Sequence, residues 1–587
     1  MSLDSGQIGS EIGRVVQAFL TENSTAMVWQ DGHLLFDLSE AKWAVTDKGD
    51  RCTLQVWSDK GNVVRTLTSF TKRKHVLRLG TTRLGSKVPQ NLELVAEDGR
   101  RTPTMREGGR HHYLRVLQRV LAREFVDWRP QGFRSAMDLE RSFGPAYARG
   151  TLVRGKQAWC VVGTSEAENQ STVDGILTVG LLWLAHCREA GDGRRRYVGL
   201  KLIVPSGMAA TTISRLAWID KRVGVMELFE LDEQTERISA RDPADHGNHA
   251  TRLVRAPDER STYERFGQAI PRVLSLLPSA AFCADEGGCA VSGDGHQRVP
   301  HVREQSGNGH RSESLSLTQV LGEVHAPAGF EMRVRSNFEL AFLFHGLEFA
   351  RIRSGFGRQT FNRELDITVG SGPNETQLTS ATEPRLRELV HTLFERRQVE
   401  RERGAGPGSR DPLFRMQTER WLESVVRRDL SALDAHLLDE PVYSQVPALT
   451  GAGSSLDRGM LDLLGVRVDS RLAVIELKAE EDLHLALQGL DYWIRVRYHH
   501  LENIDSSTGL GDLQRYGYFP ETRLSSEPPH LYLVAPALRI HPATESILRC
   551  FDARVDWTLI ALDERWRTRV KPIWKRRSTD VHIREHL

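Results

Sequence analysis

The chain has 587 residues, with 79 lysines and arginines against 77 aspartates and glutamates, for a net charge of +2. That length exceeds what one hydrophobic core holds, so roughly two to four domains are expected. A near-neutral balance excludes a uniformly basic wrapper of nucleic acid, and any such surface has to be local. The six cysteines, at 52, 160, 187, 283, 289 and 550, are too scattered for a disulfide framework. No apolar run reaches membrane-spanning length and the first residues do not read as a secretory signal, which points to a cytoplasmic protein with no membrane partner.

In chain order, residues 1–108 read as a β-rich module. The stretch "TAMVWQDGHLLFDL" through "VPQNLELVAEDG" alternates apolar and polar positions between Gly and Asp turns. Residues 109–245 change to strands and helices in alternation: "AYARGTLVRG", "QAWCVVGT" and "YVGLKLIVP" have strand patterns, and "GILTVGLLWLAHCRE" a helical one. A helix and a polar linker are expected over 246–314, where Ser292 to Ser314 is rich in Gly, Ser and His and almost free of core residues. Cys283, Cys289, His296 and His301 suggest a zinc set, but the C-x5-C spacing departs from the usual ligand spacing, and a chance grouping in a loop is the better account. A second β-rich module with a C-terminal helix is expected over 315–402, and "RERGAGPGSRD" after it reads as a flexible joint.

The chemistry lies in residues 411–587. "ERWLESVVRRDLSALDAHLL" reads as an amphipathic helix with Trp421, Leu422, Val425 and Val426 on its apolar side and Glu419 and Glu423 four apart on another face. "MLDLLGVRV" and "RLAVIELKA" then read as a hairpin. A turn centred on Asp469 makes paired residue numbers sum to 938, so that Leu461 meets Leu477, Leu463 meets Ile475 and Asp462 meets Glu476. A shift of one residue sets apolar positions against charged ones. Lys478 is two residues beyond Glu476, on the same face. Ionised groups on a buried strand are costly unless paired or bound to a metal. Two carboxylates suit a hard cation such as Mg²⁺ or Mn²⁺, which activates water and neutralises charge on a phosphate oxygen. The ammonium group can orient that water or stabilise the phosphate.

Asp462 followed by Glu476-x-Lys478 resembles the motif of the PD-(D/E)xK nuclease superfamily, with Leu461 in place of its proline. The next helix, "HLALQGLDYWIRVRYHH", carries Gln488 and Tyr492 in the Q-x-x-x-Y spacing of RecB-like nucleases. The segments "RGMLDLL", "AVIELK" and "QGLDY" are most similar to the endonuclease domain of the NucS family, and this likeness covers about Asp411 to the C-terminus. The resemblance implies a restriction-endonuclease-like core. In it, Asp462, Glu476 and Glu419 are candidate metal ligands, with Lys478 and Gln488 as further catalytic residues. It also implies a DNA partner. Tyr492 and the basic tail residues Arg567, Arg569 and Lys571 are candidate nucleic-acid contacts, the tail "RWRTRVKPIWKRR" reading as a strand with one basic face. "RYGYF" (Arg515 to Phe519) is expected to pack on its own domain rather than stack on bases.

A second copy lies in the first half. "YVGLKLIVPSGMAATTISRLAWIDKRVGVMELFELDE" and "PHLYLVAPALRIHPATESILRCFDARVDWTLIALDE" share the order strand, proline, helix, strand, "LDE", and Pro205 to Asp232 and Pro536 to Asp563 are both intervals of 27. The first copy lacks the acids, the lysine and the glutamine, so an inactive nuclease-like domain is expected over 109–245. The whole is thus read as an α/β, α+β multidomain chain: a degenerate copy, an intact copy and two β-rich modules. The expected activity is metal-dependent DNA cleavage in repair or in defence against foreign DNA. An RNA-directed nuclease and a non-cleaving binding or assembly protein are the alternatives, and a homodimer is open. No G-x-x-x-x-G-K-[ST] occurs, so an ATP-driven step would need another chain.

Overall fold

The computed structural model describes the chain apart from residues 1–4, 25, 31–32, 39–40, 49–50, 59–60, 74–75, 84–88, 97–102, 139–141, 191–194, 243–252, 279–327, 357–362, 371–374, 399–410, 449–458 and 581–587. Cys283, Cys289, His296, His301 and the polar stretch 292–314 lie outside the described residues. The fold is α+β. Met1–Leu117 and Gly372–Asn374 form one unit, and Gln118–Ser371 and Glu375–Leu587 the other.

In the first unit seven strands, β1 (Met27–Gln30), β2 (His33–Asp37), β3 (Lys42–Lys48), β4 (Arg51–Ser58), β5 (Gly61–Arg73), β6 (Val76–Arg83) and β7 (Pro89–Val95), form an antiparallel sheet in the order β2-β1-β7-β6-β5-β4-β3. The helix Ser5–Glu22 lays Ile12, Val16, Phe19 and Leu20, one stripe at helical spacing, into the core with Leu54, Val56, Leu77 and Leu92.

Among the described residues, two of the three sheets of the second unit share one plan. The first holds β8 (Arg129–Arg134), β9 (Tyr147–Arg154), β10 (Gln157–Thr164), β11 (Arg196–Pro205), β12 (Val225–Asp232) and β13 (Arg237–Arg241) in chain order across the sheet. Its neighbours pair antiparallel, antiparallel, parallel, parallel and antiparallel. The last sheet repeats this order and these polarities with β19 (Tyr443–Ala448), β20 (Gly459–Val466), β21 (Leu472–Leu477), β22 (His530–Pro536), β23 (Trp557–Leu562) and β24 (Pro572–Arg577). In both, a long helix crosses between the two central parallel strands: Ile176–Glu189 in the first repeat, Leu485–Arg497 in the second. A short helix, Ala210–Leu216 or Thr544–Leu548, makes the next crossover. Each long helix approaches its sheet at a glycine. A Cβ on Gly180 would fall 2.7 Å from Leu200 and 2.9 Å from Leu202, and one on Gly489 2.4 Å from Leu533. The parallel pairs even share their offset, Leu202 facing Leu228 and Leu533 facing Leu559.

Between the repeats β14 (Phe330–Ser336), β15 (Glu339–Phe344), β16 (Leu347–Phe356), β17 (Arg363–Val369) and β18 (Thr376–Gln377) form an antiparallel meander. The helices Glu259–Phe266 and Ile270–Leu274 do not stand apart in a linker, as the sequence boundary at 315 implied. Phe266, Ile270 and Val273 complete the meander's core beside Phe342, Phe344 and Phe394. The meander is fixed on the last repeat by Arg397. This fully buried side chain donates to the carbonyls of Leu413 (2.6 Å), Met416 (2.8 Å) and His345 (2.9 Å) and lies over the ring of Trp421 at 4.5 Å.

Candidate active site

The amphipathic segment before the hairpin is broken where a single helix was expected. The helix Thr418–Arg427 stops, and Asp429 caps a new short turn, Leu430–Leu433, by accepting from Ala432 N at 3.0 Å. The first helix buries Trp421, Leu422 and Val426, which aims Glu423 inward and leaves Glu419 half-exposed.

The hairpin has the expected register. Leu463 pairs with Ile475, Leu464 with Val474, Gly465 with Ala473 and Val466 with Leu472, all summing to 938. The ladder ends there, and Asp462 takes it over with its side chain: Oδ2 accepts from Leu477 N at 2.9 Å. Glu476 is 1% exposed. Its Oε1 lies 3.4 Å from Lys478 Nζ, while Oε2 is buried with no hydrogen-bond partner among the described residues. Lys478 Nζ is also 3.6 Å from Glu419 Oε1.

These charges are held at a cost. Burial and the nearby charge of Glu423 push Asp462 up to about 7, against the opposing pull of the Leu477 N–H, Lys478 and Arg420. Burial, then the charge of Asp462, raises Glu476 well above the usual carboxylate range, although Lys478 pulls it back. Burial works against the ammonium of Lys478, but Glu476, Glu419 and Asp462 outweigh it and raise its pKa. Two neighbouring carboxylates that resist ionisation, one with an oxygen lacking a donor, are a donor set that a hard divalent cation satisfies. Among the described residues no group of three or more His, Cys, Asp and Glu has the arrangement to hold a metal unaided. A cation held by Asp462 and Glu476 would therefore complete its shell with water or backbone oxygens, as Mg²⁺ commonly does.

Glu423 is committed elsewhere. Its oxygens accept from Arg333 (2.6 Å), Arg420 (2.9 Å) and Gln445 (2.6 Å). Neither Arg333 nor Gln445 stood out in the sequence. Arg333 comes from β14 and also bonds Glu331 at 3.0 Å, and Glu331 in turn accepts from Ser424. Gln445 sits on the edge strand β19 with φ +55°, a region disfavoured for a side chain of its kind, and its Nε2 lies 3.5 Å from Asp462 Oδ1. A hydrogen-bonded path thus runs from the meander through Arg333, Glu423 and Gln445 to Asp462.

Gln488 lies in the first turn of the crossing helix, half-buried, one turn before Tyr492. Tyr492 is only 5% exposed and packed in the core, so it does not form the expected nucleic-acid surface. The basic tail differs too. Residues 564–568 form turns, and the strand starts only at Pro572. Trp566 and Val570 are buried, and Arg567 stacks over Phe414, Trp421 and Trp566 at 5.0, 5.2 and 4.4 Å, which makes it a packing residue. Arg569 and Lys571 are exposed. In "RYGYF", Tyr518 and Phe519 are buried against Tyr443.

The strand registers transfer the site onto the first repeat. Glu476 pairs with Leu533, and Val162 pairs with Leu202, the residue equivalent to Leu533 under the crossing helix. Val162 therefore stands for Glu476 and Thr164 for Lys478. Arg149, paired with Val162, stands across from it where Asp462 stands across from Glu476. Arg149 is fully buried, donates to carbonyl oxygens including that of Ala136 at 2.6 Å, and is held down to about 10 by burial and the charge of Arg134, still cationic at neutral pH. Val179, just before Gly180, replaces Gln488. A buried guanidinium in the aspartate's place puts a cation where the second repeat has a carboxylate. No protein-family model, no curated protein and no solved structure matches this chain.

Proposed function

We propose that the second repeat is the catalytic domain of a nuclease that hydrolyses phosphodiester bonds of DNA with Mg²⁺ or Mn²⁺, in repair or in defence against foreign DNA. One observation carries the reading: Glu476, fully buried with one oxygen that has no hydrogen-bond partner among the described residues, shares a sheet face with Asp462 and Lys478. The first repeat supplies the contrast. The same sheet order there is built with Val162, Thr164 and Arg149, so the fold does not need the acids. Charges that folding does not require, and that burial penalises, point to chemistry.

Asp462 and Glu476 would hold the cation. When bound, the ion supplies Lewis acidity and lowers the cost of deprotonating water. Lys478 lies beside Glu476 and places positive charge where a phosphate oxygen gains negative charge. Gln488, in the first turn of the crossing helix, would offer an amide donor to the phosphate or to the attacking water. Gln445 and Arg333 fix Glu423, whose charge keeps Asp462 basic. Lys478 and Glu419 form the pair that holds the ammonium in place.

The test is incubation of the full chain with end-labelled single-stranded, duplex, flapped and mismatched DNA and with RNA, in Mg²⁺, Mn²⁺ or EDTA. Cation-dependent cleavage of DNA is expected. Cleavage of RNA alone would move the substrate class, and no cleavage in any condition would leave the chain as a scaffold.

A further inference from the structure

The two repeats meet across an internal two-fold relation. Each short crossover helix is followed by D-x-R-V: Asp220 to Val223 in the first repeat, Asp552 to Val555 in the second. The residues before the aspartates, Ile219 and Phe551, pair with each other in an isolated antiparallel bridge. Asp220 N donates to Cys550 O at 2.9 Å, and Asp552 N donates to Trp218 O at 2.8 Å, so each bond is the mirror of the other under exchange of repeats. Both aspartates make the same local contacts, accepting from the N–H two residues on (2.7 Å to Arg222, 3.0 Å to Arg554) and pairing with that arginine. Mutual contact of equivalent segments is the signature of an isologous, two-fold interface.

The crossing helices obey the same relation at their starts. Counting five residues back from Gly180 and from Gly489 gives Gly175 and His484, and these two positions touch. A Cβ on Gly175 would lie 2.7 Å from the His484 ring, and His484 Nδ1 is 3.2 Å from Thr178 Oγ1. The seam is buried and specific. Arg215 makes a two-pronged ion pair with Asp491 (2.8 and 2.7 Å), and Trp218 packs edge-on against Trp493 at 4.7 Å. The candidate site at Gln488 and the altered position at Val179 each lie one helical turn from this contact, so the two ends adjoin.

We propose that the chain works as its own dimer: the first repeat takes the place of a second catalytic subunit without its chemistry, so one engagement with duplex DNA hydrolyses one strand and leaves a nick. This rests on the nuclease reading of the second repeat. The strands of duplex DNA are themselves related by two-fold axes, which a two-fold pair of sites can match, one to each strand. Here Arg149, Val162 and Thr164 remove one member of the pair. In the single cut, water adds its oxygen to phosphorus, one P–O ester bond breaks, and the departing sugar oxygen keeps the bonding electrons and takes up a proton. The surface that would join two subunits is already used within the chain, so a second copy is not needed.

The test uses supercoiled plasmid with the full chain and Mg²⁺ or Mn²⁺, read over time on a gel, with the mass of the DNA-bound protein measured on a short duplex. Open circles should accumulate first, with linear DNA arising only as later, independent nicks coincide, and one chain should occupy the duplex. Linear DNA appearing without an open-circle stage, or two chains on the duplex, would overturn the inference while leaving the nuclease reading intact. No cleavage of any DNA would overturn that reading and the inference with it.

Discussion

Replacing Asp462 by asparagine should stabilise the metal-free protein while abolishing cleavage. The native carboxyl is raised from 3.8 to about 7 by burial and Glu423. The native state therefore binds more protons than the unfolded chain between these values, and stability falls as pH rises from about 4 to about 7, then levels off. At 1.36 kcal/mol per pKa unit, the full shift corresponds to roughly 4 kcal/mol above pH 7. Water entry and relaxation of Glu423 reduce what is realised, and a gain of about 1–3 kcal/mol for the variant at pH 8 is the working expectation. The asparagine oxygen can still accept from Leu477 N, so the hairpin keeps its closure. Chemical denaturation in EDTA from pH 4 to 8 reads the effect: the wild type should lose stability across this range and the variant should lose less. Mg²⁺ at pH 8 should recover the difference in the wild type only. If Asp462→Asn is less stable than wild type at pH 8, or tracks its pH dependence, the carboxylate is not the burden described and the reason for placing a cation there fails.

Other outcomes follow from the same contacts. Lys478→Ala should lose cleavage with its circular dichroism unchanged, and full activity would remove the lysine from the chemistry. Apparent affinity for Mn²⁺ should rise as pH increases toward about 7, on the order of tenfold per unit for each proton displaced; a flat titration from pH 6 to 7 would contradict the raised pKa of Asp462. Arg333→Ala strips a cation from the buried carboxylates Glu423 and Glu331 and should cost about 3–5 kcal/mol in the last repeat, as breaking buried ion pairs does, measured by denaturation. Gln488→Ala and Gln488→Leu should each lower turnover about ten- to a thousand-fold, the scale of one positioning hydrogen bond, with Mn²⁺ binding retained; wild-type rates would make Gln488 a packing residue.

The hairpin charges were legible because a buried strand with period-two alternation has no ordinary use for Asp462, Glu476 and Lys478. The doubled architecture was legible in the 27-residue interval and the shared "LDE" ends, which the matching sheet orders of the two repeats parallel. Gln445 was not legible. Its strand is a short edge whose residue at φ +55° interrupts the alternation, and Pro447 follows two residues later. Arg333 was hidden for another reason: it comes from a meander ninety residues upstream of Glu423, and local pattern carries nothing about which module docks on which helix. The tail was misread as one continuous strand: Trp566 lies in the turns at 564–568 and is buried in one cluster with Val570 and Trp421, and the strand starts only at Pro572. The two-fold seam was present in "IDKRV" and "FDARV", but only the backbone pairing shows that these segments meet.

The most direct measurement is a matched assay of wild type and Glu476→Gln on labelled duplex DNA, with Mn²⁺ binding followed on the same samples. The account predicts cation-dependent cleavage and stoichiometric Mn²⁺ binding by the wild type, and loss of both in a variant that stays folded. Cleavage by Glu476→Gln at the wild-type rate, or a folded wild type that binds no Mn²⁺ and cuts nothing, would contradict it.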